Sequence, residues 1–492
     1  MSKSLYDWDA ANYALALQNF NINLSQPQAP GYIFFVAFGK AINSVFHDPN
    51  TSFIFISIFF SILTVILIYY LGKQMFNREI AVVASIFLIF NPFFWFYGEI
   101  TSIYMSEALF ASLVAYTSYQ LLRGDSKFIY ISSLALGLSG GFRQDLVVFM
   151  FPLWVFCFCF SKFNYKQMIK SFVVLIVSVG TWLIPTILIS GGYSAYFVAT
   201  HNQLIPMFQI YSVLYGASVN AQLMMDNMLL TWTILEISVL SLFLILFYIV
   251  LNFRKFNFSR LKNHKSVFLI LWILPAFLFY LVLFVAKPGY NLIYLPVFAV
   301  LSGYLLVNIS LDLNKRFSKI PKKYVIIFTL TLFVVLSSVQ FVLSDKGMNY
   351  GDIKNSDMNF NYVNESLNSL NSLNSTNTII FYFSGDNFRK SMYYFPNFNS
   401  YYSGYTKSGK TFNVLVYKNH KLSSYECQNL VVNVNSATRI VWLSSYNTKS
   451  SPKLESKMGI EKITLLGGNI VYYSEFNNNT IFTVNHITFI KR

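Results

Sequence analysis

Apolar runs long enough to cross a membrane recur along the first 344 residues, separated by short polar loops. The hydrocarbon core of a bilayer, about 30 Å thick, takes about 20 residues of helix to cross. Runs at or near that length cover approximately 52–72, 79–97, 102–122, 127–142, 146–161, 169–190, 229–252, 266–286, 290–309 and 324–344, about ten spans, with the fourth and fifth the shortest. Residues 30–46 are also apolar, but Lys40 interrupts them and they open on Pro30-Gly31. That pattern predicts a helix lying in, or dipping into, the membrane interface.

After Leu343 the pattern changes. Runs of β-branched and aromatic residues at 378–383, 412–417, 439–443, 469–473 and 481–490 sit between Gly, Asn and Ser, as strands do. Segment 356–376 carries Leu367, Leu370 and Leu373 at every third position and reads as an amphipathic helix. The expected architecture is an α-helical polytopic membrane protein with a small α/β outer domain. It divides into an outer catalytic loop with the interfacial helix (1–50), a transmembrane helical domain (51–344) and an extracytoplasmic domain (345–492).

Composition agrees. Of 492 residues 55% are hydrophobic and 11% charged, whereas soluble globular chains carry about a quarter charged residues. The net charge of +16 would also suit a nucleic-acid binder, so position has to decide. One alternating set of loops holds Lys73, Arg78, Arg123, Lys127, Lys162, Lys166, Lys170, Arg254, Lys255, Arg260, Lys262, Lys265, Lys315, Arg316, Lys319, Lys322 and Lys323. The other set holds only Arg143 and Lys287, and the loop 191–228 has no Lys or Arg. Basic residues mark cytoplasmic loops, so 17 bases inside against two outside put the first acidic segment and the tail after residue 345 outside. Nucleic acid is not an expected partner. Reading 30–46 as a full span would instead put Asp7 and Asp9 inside.

Cys157 and Cys159 lie in an apolar span and Cys427 is alone in the tail, so neither a disulfide framework nor a Cys/His metal spacing follows. Nothing before Asp7 reads as a leader. An outer start there has no element to carry it across, so a missing first helix or a late reading start is expected.

Charges at membrane boundaries and within spans are costly, and each is a functional candidate. Asp7 and Asp9 lie in Asp7-Trp8-Asp9, ahead of Tyr13 and the turn Gln26-Pro27-Gln28-Ala29-Pro30-Gly31-Tyr32. Glu99 lies in the hairpin Phe96-Tyr97-Gly98-Glu99-Ile100-Thr101, with Glu107 two turns into the next span. Arg143 and Asp145 end Gly140-Gly141-Phe142-Arg143-Gln144-Asp145, and Lys287 opens Lys287-Pro288-Gly289-Tyr290. Each also has a plain reading. The aspartates can be solvated loop residues, Glu99 a helix cap, Arg143 and Lys287 snorkelling cations, and Glu107 a buried partner for Arg143.

The stretch from Asp7 to Leu17, followed by the 26–32 turn, resembles the first outer loop of polytopic GT-C glycosyltransferases, including the protein O-mannosyltransferase and lipid A aminoarabinose transferase relatives. There a modified DxD acidic motif precedes a Tyr, and a His-Pro-Pro-Gly-Tyr-like turn often follows. The stretches 141–145 and 287–290 look like later outer motifs of that family. Segment 389–396 (RKSMYYFP) is similar to members with an outer carboxy-terminal domain. Gln28-Ala29 stands where His-Pro is commoner, so this turn has no histidine.

The resemblance implies inverting transfer of a sugar from a polyprenyl-phosphate donor to a protein, lipid or glycan acceptor, among membrane lipids. The acceptor hydroxyl loses a proton as it attacks, so a carboxylate base is needed. The phosphate leaves as an anion and calls for fixed cations. By its spacing to Tyr13, Asp9 matches the family's catalytic acid better than Asp7, with Glu99 as second acid. Arg143, Lys287 and Tyr290 would hold the lipid phosphate. Tyr13, Gln26, Pro30, Gly31 and Tyr32 would form the substrate loop, with Glu107 and Asp145 in support. Asp9 and Glu99 would suit Mg²⁺ or Mn²⁺ if the reaction uses a metal, and the metal is left open.

Other classes remain to be weighed. A transporter or flippase of polyprenyl-linked glycans predicts internal repeats and polar groups deep in the spans, and no convincing repeat is visible. A glycan polymerase would use a diphosphate carrier. A bare membrane anchor would not need about ten spans.

Overall fold

In a computed structural model the chain is described over residues 1–161, 163–212, 243–244, 246–248, 250, 263–284, 287–317, 321–343, 348–369, 375–405, 412–434, 436–437, 439–444, 459–465, 468–477 and 480–491. It divides into two compact units. Asn19–Asp352, with Met1, form one, and Ser2–Gln18 with Ile353–Arg492 form the other. The expected 1–50 segment is therefore split, its first helix going with the carboxy-terminal domain.

The first unit is helical. Its elements are α2 (Ile33–Phe46), α3 (Pro49–Met75), α4 (Arg78–Ile89), α5 (Pro92–Gly98), α6 (Tyr104–Leu122), α7 (Phe128–Phe142), α8 (Gln144–Cys159), α9 (Tyr165–Ile189), α10 (Tyr193–Tyr211), α11 (His264–Leu278), α12 (Leu295–Arg316) and α13 (Lys322–Leu343). Helix α2 has 14 residues and is about 21 Å long, too short to span a bilayer. Among the described residues five helices are long and apolar enough to cross: α3, α9, α11 with its continuation to Leu283, α12 and α13. The pair α4 and α5 makes a sixth if counted as one span. Helices α7 and α8 are apolar but shorter. The expected span 229–252 lies largely outside the described residues.

Two expected spans differ in shape. Residues 79–97 are not one straight helix, because α4 and α5 meet at 61°. Pro92 has no N–H to continue the ladder, and the Asn91 side chain accepts from the N–H groups of Phe93 and Phe94 (both 3.1 Å), starting a new helix. The span foreseen at 290–309 begins only at Leu295 and runs to Arg316, after a 3-10 turn at Pro288–Ile293.

Small residues let the helices approach closely, as membrane helices require. A Cβ at Gly303 on α12 would lie 2.8 Å from the Ile80 carbonyl oxygen and 2.9 Å from the Ala84 nitrogen of α4. Indole N–H groups are satisfied internally, Trp182 by the Gly137 carbonyl (2.8 Å) and Trp154 by Ser132 Oγ (3.1 Å).

The second unit is built on a seven-stranded mixed sheet in the order β4-β3-β2-β1-β6-β8-β7, with a three-stranded sheet β5-β10-β9. The strands are β1 (Thr378–Tyr382), β2 (Asn399–Tyr405), β3 (Phe412–Lys418), β4 (Lys421–Cys427), β5 (Leu430–Asn433), β6 (Arg439–Leu443), β7 (Glu461–Thr464), β8 (Ile470–Glu475), β9 (Ile481–Val484) and β10 (Ile487–Ile490). Strand β1 runs parallel to both β2 and β6, and α15 (Gly385–Tyr394) makes the crossover from β1 to β2. All five residues of β1 are buried because both faces are covered. Ile379 and Phe381 pack in a core with Val484, Ile487 and Phe489. Ile380 and Tyr382 face α14 (Tyr350–Ser369) and α15 through Tyr362, Val363, Phe388 and Met392. Helix α1 (Trp8–Gln18) joins this second core through Leu15. The run 481–490, read as one strand, is a hairpin turning at Asn485 and His486, both with positive φ (43° and 63°).

Gly303→Val should separate α12 from α4, since the colliding atoms are backbone. A lower melting temperature in detergent than the wild type is expected, and an unchanged one would contradict this packing.

Candidate functional site

Between α7 and α8 the chain straightens for one residue, Arg143 (φ −149°, ψ 123°). Its N–H donates to the Ser139 carbonyl (2.9 Å), closing α7, while its carbonyl accepts from Leu146 (3.2 Å) in the first turn of α8. The residue is only 6% exposed. A buried guanidinium must be neutralised and its N–H groups satisfied. Asp145 does both, Nε donating to Oδ1 (3.1 Å) and Nη2 to Oδ2 (2.5 Å). Glu107, wholly buried on α6, brings Oε1 to 2.8 Å from Nη1. The N–H is not aimed along that line, so neither Glu107 oxygen accepts a hydrogen bond among the described residues.

Aromatic rings complete the enclosure. Arg143 Cζ lies 4.7 Å from the ring centroid of Tyr290, 5.4 Å from Tyr104 and 5.9 Å from Tyr32, within cation–π range. Tyr280 stacks on Tyr290 (centroids 4.8 Å) and donates to Asp145 Oδ2 (2.6 Å). The motif glycines make room for these rings. A Cβ at Gly289 would lie 2.3 Å from the Tyr104 ring, and one at Gly141 2.2 Å from the Phe34 ring. Gln144 Nε2 donates to the Gly31 carbonyl (2.5 Å), tying the 26–32 turn to the start of α8. Gly31 has φ +85°, a conformation that favours glycine.

The structure thus brings together Arg143, Glu107, Asp145, Tyr290, Tyr32 and Gly31 from the residues singled out in the sequence. Lys287 opens the turn that carries Tyr290. Pro30 precedes Gly31 in the same turn, and Gln26 is buried, its backbone paired with Asn21. Tyr104, Tyr280 and Gln144 were missed. Gln144 lay inside a quoted motif, but the two tyrosines carried no signal in a chain with 34 of them. Glu99 ends α5, and its Oε2 accepts from the Met1 amino group (3.1 Å).

Asp7, Asp9 and Tyr13 belong to the second unit. Asp7 caps α1, its Oδ1 accepting from the Ala10 N–H (2.9 Å), and Asp9 sits in the first turn. Tyr13 is 1% exposed. Helix α1 is held on α15 by buried Arg389, whose Nε donates to Asn12 Oδ1 (2.6 Å) and whose Cζ lies 5.4 Å from the Trp8 ring. Burial lowers the Arg389 pKa to about 10. Among the described residues no three His, Cys, Asp or Glu side chains gather as a metal site. Glu107 and Asp145 already flank a guanidinium.

Residues 27–189 match the family described as dolichyl-phosphate-mannose-protein mannosyltransferase. The structure of ArnT from Cupriavidus metallidurans bound to undecaprenyl phosphate is similar at TM-score 0.50 and 12% identity, covering 81% of this chain and 82% of that one. The apo oligosaccharyltransferase of Archaeoglobus fulgidus gives TM-score 0.45 and 12% identity over 79% of this chain and 60% of that one. No curated protein sequence matches.

Removing one partner of a buried ion pair costs about 3–5 kcal/mol. Arg143→Met should destabilise the helical unit on that scale, and adding Glu107→Gln should recover part of the loss. Melting curves of the two single variants and the double variant in detergent check this, and simple additivity would contradict it.

Proposed function

We propose that this chain, an integral membrane glycosyltransferase of the GT-C fold, moves a sugar from a polyprenyl-phosphate carrier to an acceptor on the outer face of the membrane, with inversion. One observation carries the reading. The stretch matching the mannosyltransferase family encloses a buried polar centre, and the 26–32 turn is bonded to it. The solved ArnT structure of the same fold holds undecaprenyl phosphate, a carrier of the class proposed here.

In this reading the acceptor hydroxyl gives its proton to Asp9 while its oxygen bonds to the anomeric carbon. The bond from that carbon to the phosphate oxygen breaks, and the lipid phosphate departs with the electron pair. Asp9 is preferred to Asp7 for its spacing to Tyr13. Arg143 already faces two carboxylates, so the added charge on the phosphate falls to Lys287, while Arg143 holds the neighbouring Tyr290 in place. Glu99 positions the acceptor, or a divalent ion if the reaction uses one. The outward orientation belongs to this proposal and rests on the loop charges.

The test is transfer by purified protein from radiolabelled polyprenyl-phosphate hexoses to candidate acceptors. A general base contributes about 10²–10⁴-fold to rate. Asp9→Asn should lose turnover on that scale with its melting curve unchanged. Full turnover in this variant would remove Asp9 from the mechanism.

A further inference from the structure

At the carboxyl ends of the parallel strands β1 and β2, the second unit contains a cleft of about 540 Å³. In open sheets of this kind, ligands settle outside the carboxyl ends of strands, where connections diverge. Strand β1 meets that condition, since α15 leads from it to β2 on one side and β6 flanks it on the other. The volume falls in the ordinary range for small-molecule sites, about 300–1,000 Å³.

The lining defines the occupant. It includes Trp8 of α1, Ser384 and Asp386 at the start of α15, Tyr402 and Gly404 of β2, and Asn413 of β3. The Trp8 backbone N–H donates to Asp386 Oδ1 (3.1 Å), and the Trp8 ring packs against the Arg389 guanidinium. Tyr402 stacks on Phe388, with centroids 6.0 Å apart. The glycines keep these rings in place. A Cβ at Gly404 would lie 3.0 Å from Tyr402 Oη, and one at Gly385 would lie 3.2 Å from Tyr402 Cζ and 3.5 Å from Trp8 Cζ3.

The polar atoms offer both senses of hydrogen bond. Asp386 is an acceptor. Asn413 Oδ1 already accepts from Ser424 (2.7 Å), which leaves its amide N–H₂ as the donor end. Ser384 Oγ accepts from the Asn387 N–H (3.4 Å), and its own hydroxyl hydrogen donates. Among the described residues the lining contains no Lys or Arg and does contain a carboxylate, a set that opposes phosphate, sulfate and other anions. A polyol ring with apolar C–H faces and hydroxyl edges, each hydroxyl both donor and acceptor, matches this set.

We propose that the cleft binds a neutral saccharide, its C–H faces against Trp8 and Tyr402 and its hydroxyls bonded to Asp386, Asn413 and Ser384. Binding itself needs no part of the transfer reading. If that reading holds, the occupant is the acceptor or product glycan, an extension that does rest on it.

The test uses the full chain in detergent, without any lipid-linked donor. Glucose, galactose, mannose, N-acetylglucosamine and their common disaccharides are titrated while ligand-detected NMR and tryptophan fluorescence are followed, with inorganic phosphate as a control. At least one saccharide should bind. Tyr402→Ala should weaken it about tenfold, some 1.4 kcal/mol. Gly404→Val should abolish binding with the melting curve unchanged. Asp9→Asn should keep it, which separates failure of this site from failure of transfer. No binding by any saccharide, displacement by phosphate, or undiminished binding in a folded Gly404→Val variant would overturn the assignment.

Discussion

A guanidinium sunk among helices has to be neutralised where it stands, and much of the first unit is arranged around doing that for Arg143. Glu107 comes from α6 and Asp145 from α8, while tyrosine rings close the remaining sides. Breaking such a pair leaves a bare buried charge, whereas making it yields little net stability. Its value therefore lies in fixing geometry. The interaction holds α6 and α8 in register and clamps the Pro288–Ile293 turn through Tyr290. Through Gln144 and Tyr32 it also reaches the turn that leads into α2.

The second unit solves a different problem. A mixed sheet needs cover on both faces, and the chain supplies a small sheet to one face and helices to the other. Helix α1 is part of that cover although residues 19–352 separate it from the rest of the unit. Asp357 fixes the extreme amino-terminal segment by accepting from Ser2, Lys3 and Ser4. The acidic motif is thus carried by the carboxy-terminal domain, and Trp8 between its two aspartates belongs to that domain's cleft.

Hydropathy was the most legible level, because apolar runs of span length have few other uses. The spans at 52–72, 169–190 and 324–344 fall where the pattern places them, whereas the helix at 104–122 is not apolar enough to count among those able to cross. Breaks were harder to see. Asn91-Pro92 ends one helix and starts another, yet the run around it stays apolar throughout. Strands β2 (NSYYSGY) and β4 (KLSSYEC) were missed because Ser and Gly dilute their β signal and β4 is a largely exposed edge. The turns at Asn419-His420 and Asn485-His486 have two consecutive residues at positive φ, the requirement of a tight hairpin. With histidine in place of the usual glycine, that signal is weak. The pairing of Glu107 with Arg143 could be suspected from charge alone. Tyr104 and Tyr280 could not, since a tyrosine's role depends on which ring it meets.

The central proposal is that the lipid phosphate is handled at Lys287, in the turn that Arg143 holds through Tyr290. A polyprenyl phosphate bearing a photoreactive group near its headgroup, crosslinked to the purified chain and mapped by peptide mass spectrometry, tests this most directly. Label is predicted in the 26–32 turn and in the 287–294 segment. Label confined to other helices, with both of those segments clean, would contradict it.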